Sequence, residues 1–205
     1  GLHWFNEYGN VFLENRYTLP HAPNYRPWLT LKNLWDLSPF IHTGRLEIEV
    51  LNLDNGRDNY PPDDELAPRG YTQEYATAVT LFASPLLWFA PSRMRSETRA
   101  RVRSVIDLHR SHREGIHAGH VLPVGGRPSG GSWTGLQSHD PRTGTGYLVV
   151  YRERTAEPAA RLPLHFVEGA ALSLESLSDA TPPAAARVSD GSVEVRLEQP
   201  NSFRL

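Results

Sequence analysis

Apolar residues along this chain come in short runs whose period changes from segment to segment. Val11-Phe12-Leu13 runs into Glu14-Asn15-Arg16, the pattern of a buried strand that ends in polar residues. Leu31 to Phe40 reads as a short helix stopped around Pro39. From Arg45 to Leu53 the pattern alternates, with Leu46, Ile48 and Val50 on one side and Glu47 and Glu49 on the other. Alternation predicts a strand, and Leu51 and Leu53 blur its end. Asn52 to Pro68 is a polar loop carrying Asp54, Asp58, Asp63, Asp64 and Glu65. Tyr75 to Phe89 is apolar throughout, and period alone leaves helix and buried strand open there. Ser96 to Ile116 is the clearest helix, with Val102, Val105, Ile106, His109 and Arg113 falling at spacings of three and four. Ser92 or Ser96 would cap its start, and Gly115 and Gly119 would end it.

After Gly119 the texture changes. His120 to Val124, Ser132 to Ser138, Tyr147 to Glu153, Ala170 to Leu177 and Ser192 to Glu198 are short β-like runs, separated by turns rich in Gly, Pro, Ser and Asp. Many short strands with turn signals predict an antiparallel β-sandwich. Trp133, Leu148, Val150, Leu172, Leu174, Val193, Val195 and Leu197 are its expected inward set. The fold class is therefore α/β plus β, with one part over residues 1–118 and an antiparallel part over 119–205. The chain opens in aromatic, core-like sequence and closes on the strand pattern Phe203-Arg204-Leu205, so a piece of a longer protein is expected.

Composition narrows the chemistry. The 205 residues are 39% hydrophobic, with five Trp, eight Tyr and seven Phe, enough large side chains to build a core. There is no Cys, which excludes disulfides, thiol nucleophiles and cysteine zinc sites. A net charge of −2 gives no electrostatic reason to expect a nucleic-acid partner. No apolar run reaches the ~20 residues of a spanning helix, so no membrane span is expected.

The order of pieces carries a resemblance. Ala83-Ser84-Pro85-Leu86-Leu87-Trp88-Phe89 leads into the helix from Ser96, which runs through Val105-Ile106-Asp107-Leu108-His109-Arg110 to Gly119. Ser132-Trp133-Thr134-Gly135 and Gly146-Tyr147-Leu148-Val149-Val150-Tyr151-Arg152 follow. This resembles the C-terminal part of the clan-D glycoside hydrolases of the α-galactosidase (melibiase) type. The resemblance implies the C-terminal portion of a (β/α)8 TIM barrel over 1–118, then a β-sandwich over 119–205. It implies a protein that hydrolyses terminal α-linked sugars such as α-galactosides with two carboxyl groups and no cofactor. The family's nucleophilic Asp sits on an earlier barrel strand, upstream of Gly1. Trp35 to Ile48 looks like the segment that carries the acid/base carboxylate; counting back from Arg45, Trp35 falls where the family has Trp, and the acid/base position falls on Ser38, with Asp36 two residues away. Alone, this chain is expected to be inactive and to need the remaining barrel portion, from the same protein or another chain. A non-catalytic carbohydrate-binding protein and a structural fragment of the same fold are the competing expectations.

Glycoside hydrolysis calls for two carboxyl groups flanking the scissile bond. Glu7, Glu14 and Asp36 are candidates, with Glu14 and Asp36 taken as catalytic residues, either of which supplies at most the acid/base half. Glu14 directly follows the first apolar run, and in a parallel barrel active sites gather at strand C-termini. Arg16 beside it is placed to pair with Glu14 or bind substrate oxygen. Trp4, Tyr8, Trp28 and Trp35 offer flat faces for a sugar, with Trp4, Tyr8 and Trp35 taken with Arg16 as substrate-binding residues. His109, His112, His117 and His120 lack metalloprotease spacing, so no metal is expected. The acidic loop departs from the EF-hand pattern, and Gly125 to Gly131 lacks a phosphate-loop ending and reads as a hairpin connection.

Overall fold

The computed structural model describes residues 9–12, 26–54, 60–178 and 185–205. Its first part is a parallel sheet with helices. Strands β1 (Val11–Phe12), β2 (Leu46–Glu49) and β3 (Ser84–Leu86) pair in the order β1-β2-β3, both pairs parallel. Helix α1 (Pro27–Leu37) connects β1 to β2, and the short α2 (Gln73–Ala78) precedes β3. The apolar stretch left open by period is thus divided: α2 starts where Thr72 Oγ1 accepts from the Tyr75 amide at 3.1 Å, and a turn at 79–83 leads to β3. Pro85 lacks an N–H and suits β3, which is an edge strand among the described residues.

Helix α3 (Ser96–His117) follows and buries Val102, Val105, His109 and Ile116. Neither Ser92 nor Ser96 caps it. The cap residue is Arg95, without a side-chain cap bond, and Asp54 serves the first turn instead, accepting from Arg95 Nε at 2.9 Å and Thr98 Oγ1 at 3.3 Å. Gly115 does not end the helix but lies inside it. A Cβ there would come within 2.7 Å of the Tyr147 phenol oxygen, so the ring of a facing strand sets that glycine.

The remaining elements are antiparallel. Strands β4 (His120–Gly125), β5 (Trp133–Asp140), β6 (Thr145–Arg152) and β10 (Ser202–Arg204) form a sheet in the order β10-β6-β5-β4. Strands β7 (Ala159–Pro163), β8 (Ala185–Ser189) and β9 (Ser192–Arg196) form another, in the order β7-β9-β8. Asp190-Gly191 is a two-residue hairpin with φ of 47° and 68°, the left-handed pair that matches strand twist. The architecture is mixed α and β, with one parallel and two antiparallel sheets.

Two cores meet at the four-stranded sheet. Leu136, Val149 and Tyr151 pack with Leu31 and Leu34 of α1, Ile48 of β2 and Tyr75 of α2, so this core runs across residue 119. Val124 and Val150 on the opposite face pack with Leu162, Val193 and Val195 of the three-stranded sheet, joined by Trp133 and Leu148. Five of the eight expected inward residues are therefore in or against a core, Leu197 is buried, and two are exposed. Ala170 to Leu177 forms no strand, and Leu172 and Leu174 are exposed. Pairing is what that segment lacks: its first sheet-like bonds come at its end, where Leu177 N donates to Leu205 O at 2.9 Å.

Val195 is buried in the smaller core among Val124, Val150, Leu162 and Val193. Val195→Asp is expected to cost more than about 4 kcal/mol and to unfold the antiparallel part. Circular dichroism melting of this variant against the parent chain checks it.

Candidate functional site

The helices use one face of the parallel sheet. Leu46 and Ile48 join the core containing residues of α1, α2 and α3, so the two-residue period turns Glu47 and Glu49 to the opposite face. Register brings Phe12, Glu47 and Ser84 level with one another, and Glu49 level with Leu86. Asn10, two residues before Phe12, donates from Nδ2 to Glu47 Oε1 at 2.7 Å. Glu49 is the last residue of β2, the middle strand, and stands at its C-terminal end.

Glu49 is only 6% exposed. Its carboxyl has no hydrogen bond or ion pair among the described residues, and burial pushes its pKa up to about 7. The backbone around it is fixed. Val50 N donates to Leu86 O at 2.8 Å, continuing the pairing with β3. Gln73, buried at the start of α2, donates from Nε2 to Leu51 O at 2.7 Å and accepts from Leu53 N at 3.1 Å. One glutamine thus ties the segment leaving β2 to the following helix. A carboxyl held in this way, half protonated near neutral pH, is suited to proton transfer in either direction.

Aromatic groups stand at the same end. Phe12 and Trp88 have ring centroids 4.9 Å apart, although β1 and β3 flank β2 rather than each other. Their contact therefore spans the strand that ends in Glu49. Trp88 is 57% exposed and Leu87 42%.

The residues chosen from sequence fall elsewhere. Asp36 and Trp35 lie in the last turn of α1, which leads into the start of β2, so connectivity puts them at the other end of the sheet from Glu49. Arg127 donates to both Asp36 oxygens, at 2.7 and 2.5 Å, and Lys32 lies 3.5 Å away. The Arg127 hydrogen bonds hold the Asp36 carboxyl below its ordinary range. Trp35 donates from Nε1 to Val124 O at 3.5 Å. Ser38 is buried and donates to Trp35 O at 3.1 Å. Trp4, Glu7, Tyr8, Glu14 and Arg16 lie outside the described residues. Glu49 was legible in sequence as half of an alternating pair with Glu47, but alternation gave no reason to separate it from a solvated strand face.

The histidines also gather away from Glu49. His109 bonds through Nε2 to Ala83 O at 3.1 Å, and His42 through Nε2 to His117 O at 3.2 Å, with the His117 ring between the other two at 5.9 and 6.3 Å. Ala83 precedes β3 and His42 precedes β2, so this group sits where the strands begin. Burial, then the neighbouring His42 and His109, push His117 down to about 4. Among the described residues no three His, Asp or Glu side chains converge as metal ligands. In the acidic loop Asp54, Asp64 and Glu65 are each paired with an arginine.

These two groups give stability opposite pH slopes. Glu49 has a folded pKa of about 7 against an ordinary 4.5. Its neutral form suits the fold below pH 4.5, and stability is lost as pH rises through about 7, by up to about 3 kcal/mol. Glu49→Gln is expected to remove that loss, measured as the difference in melting temperature between about pH 5 and about pH 8. His117 has a folded pKa of about 4 against 6.5, so its contribution is present above 6.5 and lost as pH falls toward 4. His117→Gln is expected to flatten that acid limb in the same melting series. Comparison with family models, with curated proteins and with solved structures gives no match for this chain.

Proposed function

We propose that this chain is the C-terminal part of a glycoside hydrolase-like protein that hydrolyses terminal α-linked sugars, with α-galactosides as the substrate type. In this reading residues 1–118 are the closing portion of a (β/α)8 barrel and residues 119–205 a β-sandwich. Supporting it are three parallel strands with helices between them, followed by a long helix and antiparallel sheets. The observation that carries it is Glu49: a buried carboxyl at the C-terminal end of a parallel strand, turned away from the helices, with a pKa of about 7.

Glu49 takes the role that the sequence resemblance gave to the segment around Asp36. Protonated, it donates to the glycosidic oxygen as the bond to the anomeric carbon breaks; ionised, it accepts a proton from the incoming water. The second carboxyl, the nucleophile, is expected on an earlier strand upstream of Gly1. Glu14, two positions beyond β1 in sequence, is the further candidate that the sequence offers within the chain. The substrate is a carbohydrate, the remaining barrel portion is the required partner, and the reaction needs no cofactor.

A second reading, a carbohydrate-binding protein without turnover, is favoured by Ser38 at the family's acid/base position and by Asp36 being occupied by Arg127. Hydrolysis of α-galactosides by the protein carrying the upstream portion separates the two. Glu49→Gln is expected to lower kcat by about 10²–10⁴-fold on methyl α-galactoside, whose leaving group needs a proton. A nitrophenyl α-galactoside, with its better leaving group, should lose less. Unchanged kcat on both substrates removes Glu49 from the chemistry, and sugar binding without hydrolysis in the parent protein favours the second reading.

A further inference from the structure

Trp88 is more than half exposed, yet one side of its ring is held by Phe12. The two rings reach each other from opposite sides of β2, with planes 35° apart. Such an indole has lost rotational freedom before any ligand arrives, which lowers the entropic cost of binding. The exposed part of the indole is apolar and lies two residues beyond Leu86, which is level with Glu49. Leu87 and Trp88 together expose far less than the ~800 Å² per partner of a stable protein interface. Their size suits a small ring.

We propose that Trp88, braced by Phe12, is a stacking platform for the C–H face of a pyranose ring, positioned so that the ring's polar edge meets the Glu49 carboxyl. The proposal rests on reading this end of the sheet as a sugar site. A galacto-configured ring fits the requirement well, because its axial O4 leaves the C3, C4 and C5 hydrogens together on the other face. The indole then selects for ring shape, while the carboxyl meets the oxygen substituents.

The test is equilibrium binding of methyl α-D-galactopyranoside to the protein carrying the upstream portion, followed at the tryptophan indole N–H resonances, with Trp88 assigned through its variants. The sugar is expected to shift the Trp88 resonance. Trp88→Ala should weaken binding about five- to tenfold, and Trp88→Phe, which keeps a flat face, should lose less. The melting curve of Trp88→Phe is expected to match the parent, while Trp88→Ala, which removes the contact with Phe12, is expected to melt slightly lower and still cooperatively. An unshifted Trp88 resonance, or equal affinity in Trp88→Ala, overturns the platform. So does a dimer of the parent chain that Trp88→Ala converts to monomer, which would make the indole a contact between copies. The hydrolase reading is decided separately. Binding at Trp88 with no turnover in the parent protein sinks hydrolysis and leaves the platform standing. Turnover that depends on Glu49, with KM untouched by Trp88→Ala, does the reverse.

Discussion

A strand has two faces, and the helices of this protein take only one face of β2. That constraint organises the first half of the chain. Leu46 and Ile48 go to the helical core, so Glu47 and Glu49 must go to the other side. In the middle strand of a parallel sheet the other side is not open solvent at its far end. Glu49 is buried there without a donor among the described residues, and burial keeps its carboxyl neutral well above its ordinary range. The perturbed group thus follows from where apolar residues pack. Gln73 adds the second condition, since by bonding both Leu51 and Leu53 it stops the strand end from relaxing outward.

The same two-residue period, acting on β6, joins the halves. Val149 and Tyr151 turn toward the helices, while Leu148 and Val150 turn toward the three-stranded sheet. Tyr151 carries the joint furthest. Its phenol is fully buried, donates to Ala78 O at 2.7 Å and meets the Tyr75 ring edge-on at 5.6 Å. The carbonyl it reaches is at the end of α2 and also accepts from Leu81 N at 3.0 Å, so the phenol is its second donor. The antiparallel part is therefore tied to the helix that also anchors the Glu49 strand end.

Much of this was legible where local chemistry decides the outcome. The long helix follows from its three-four spacing, the Asp190-Gly191 hairpin from the need for positive φ, and the burial of Val193 and Val195 from clean alternation. Failures came where the answer depends on a distant partner. Ala170 to Leu177 alternates as well as many strands do, but it pairs with no edge, so Leu172 and Leu174 stay in water. The side chains at the start of the long helix, Arg95 and Thr98, are held by Asp54, more than forty positions away, and nothing around Ser96 announces it. Glu49 belongs to this second group. Its alternation was visible, but which medium its face meets depends on residues elsewhere in the fold.

Asp36 shows the same logic from the opposite direction. The resemblance places Trp35, Asp36 and Ser38 in the segment that carries the family's acid/base carboxylate. In the structure they bind α1 to the antiparallel sheet: Arg127, just beyond β4, clamps Asp36, and Trp35 reaches the carbonyl of Val124 in β4. The Asp36–Arg127 pair is partly exposed, so it fixes orientation more than it adds stability. An aspartate held ionised by a guanidinium cannot donate a proton at neutral pH, whereas an isolated glutamate near 7 can. The two carboxyls lie at opposite ends of the sheet and in opposite electrostatic states, so one β-strand separates the joint of the molecule from its candidate chemistry.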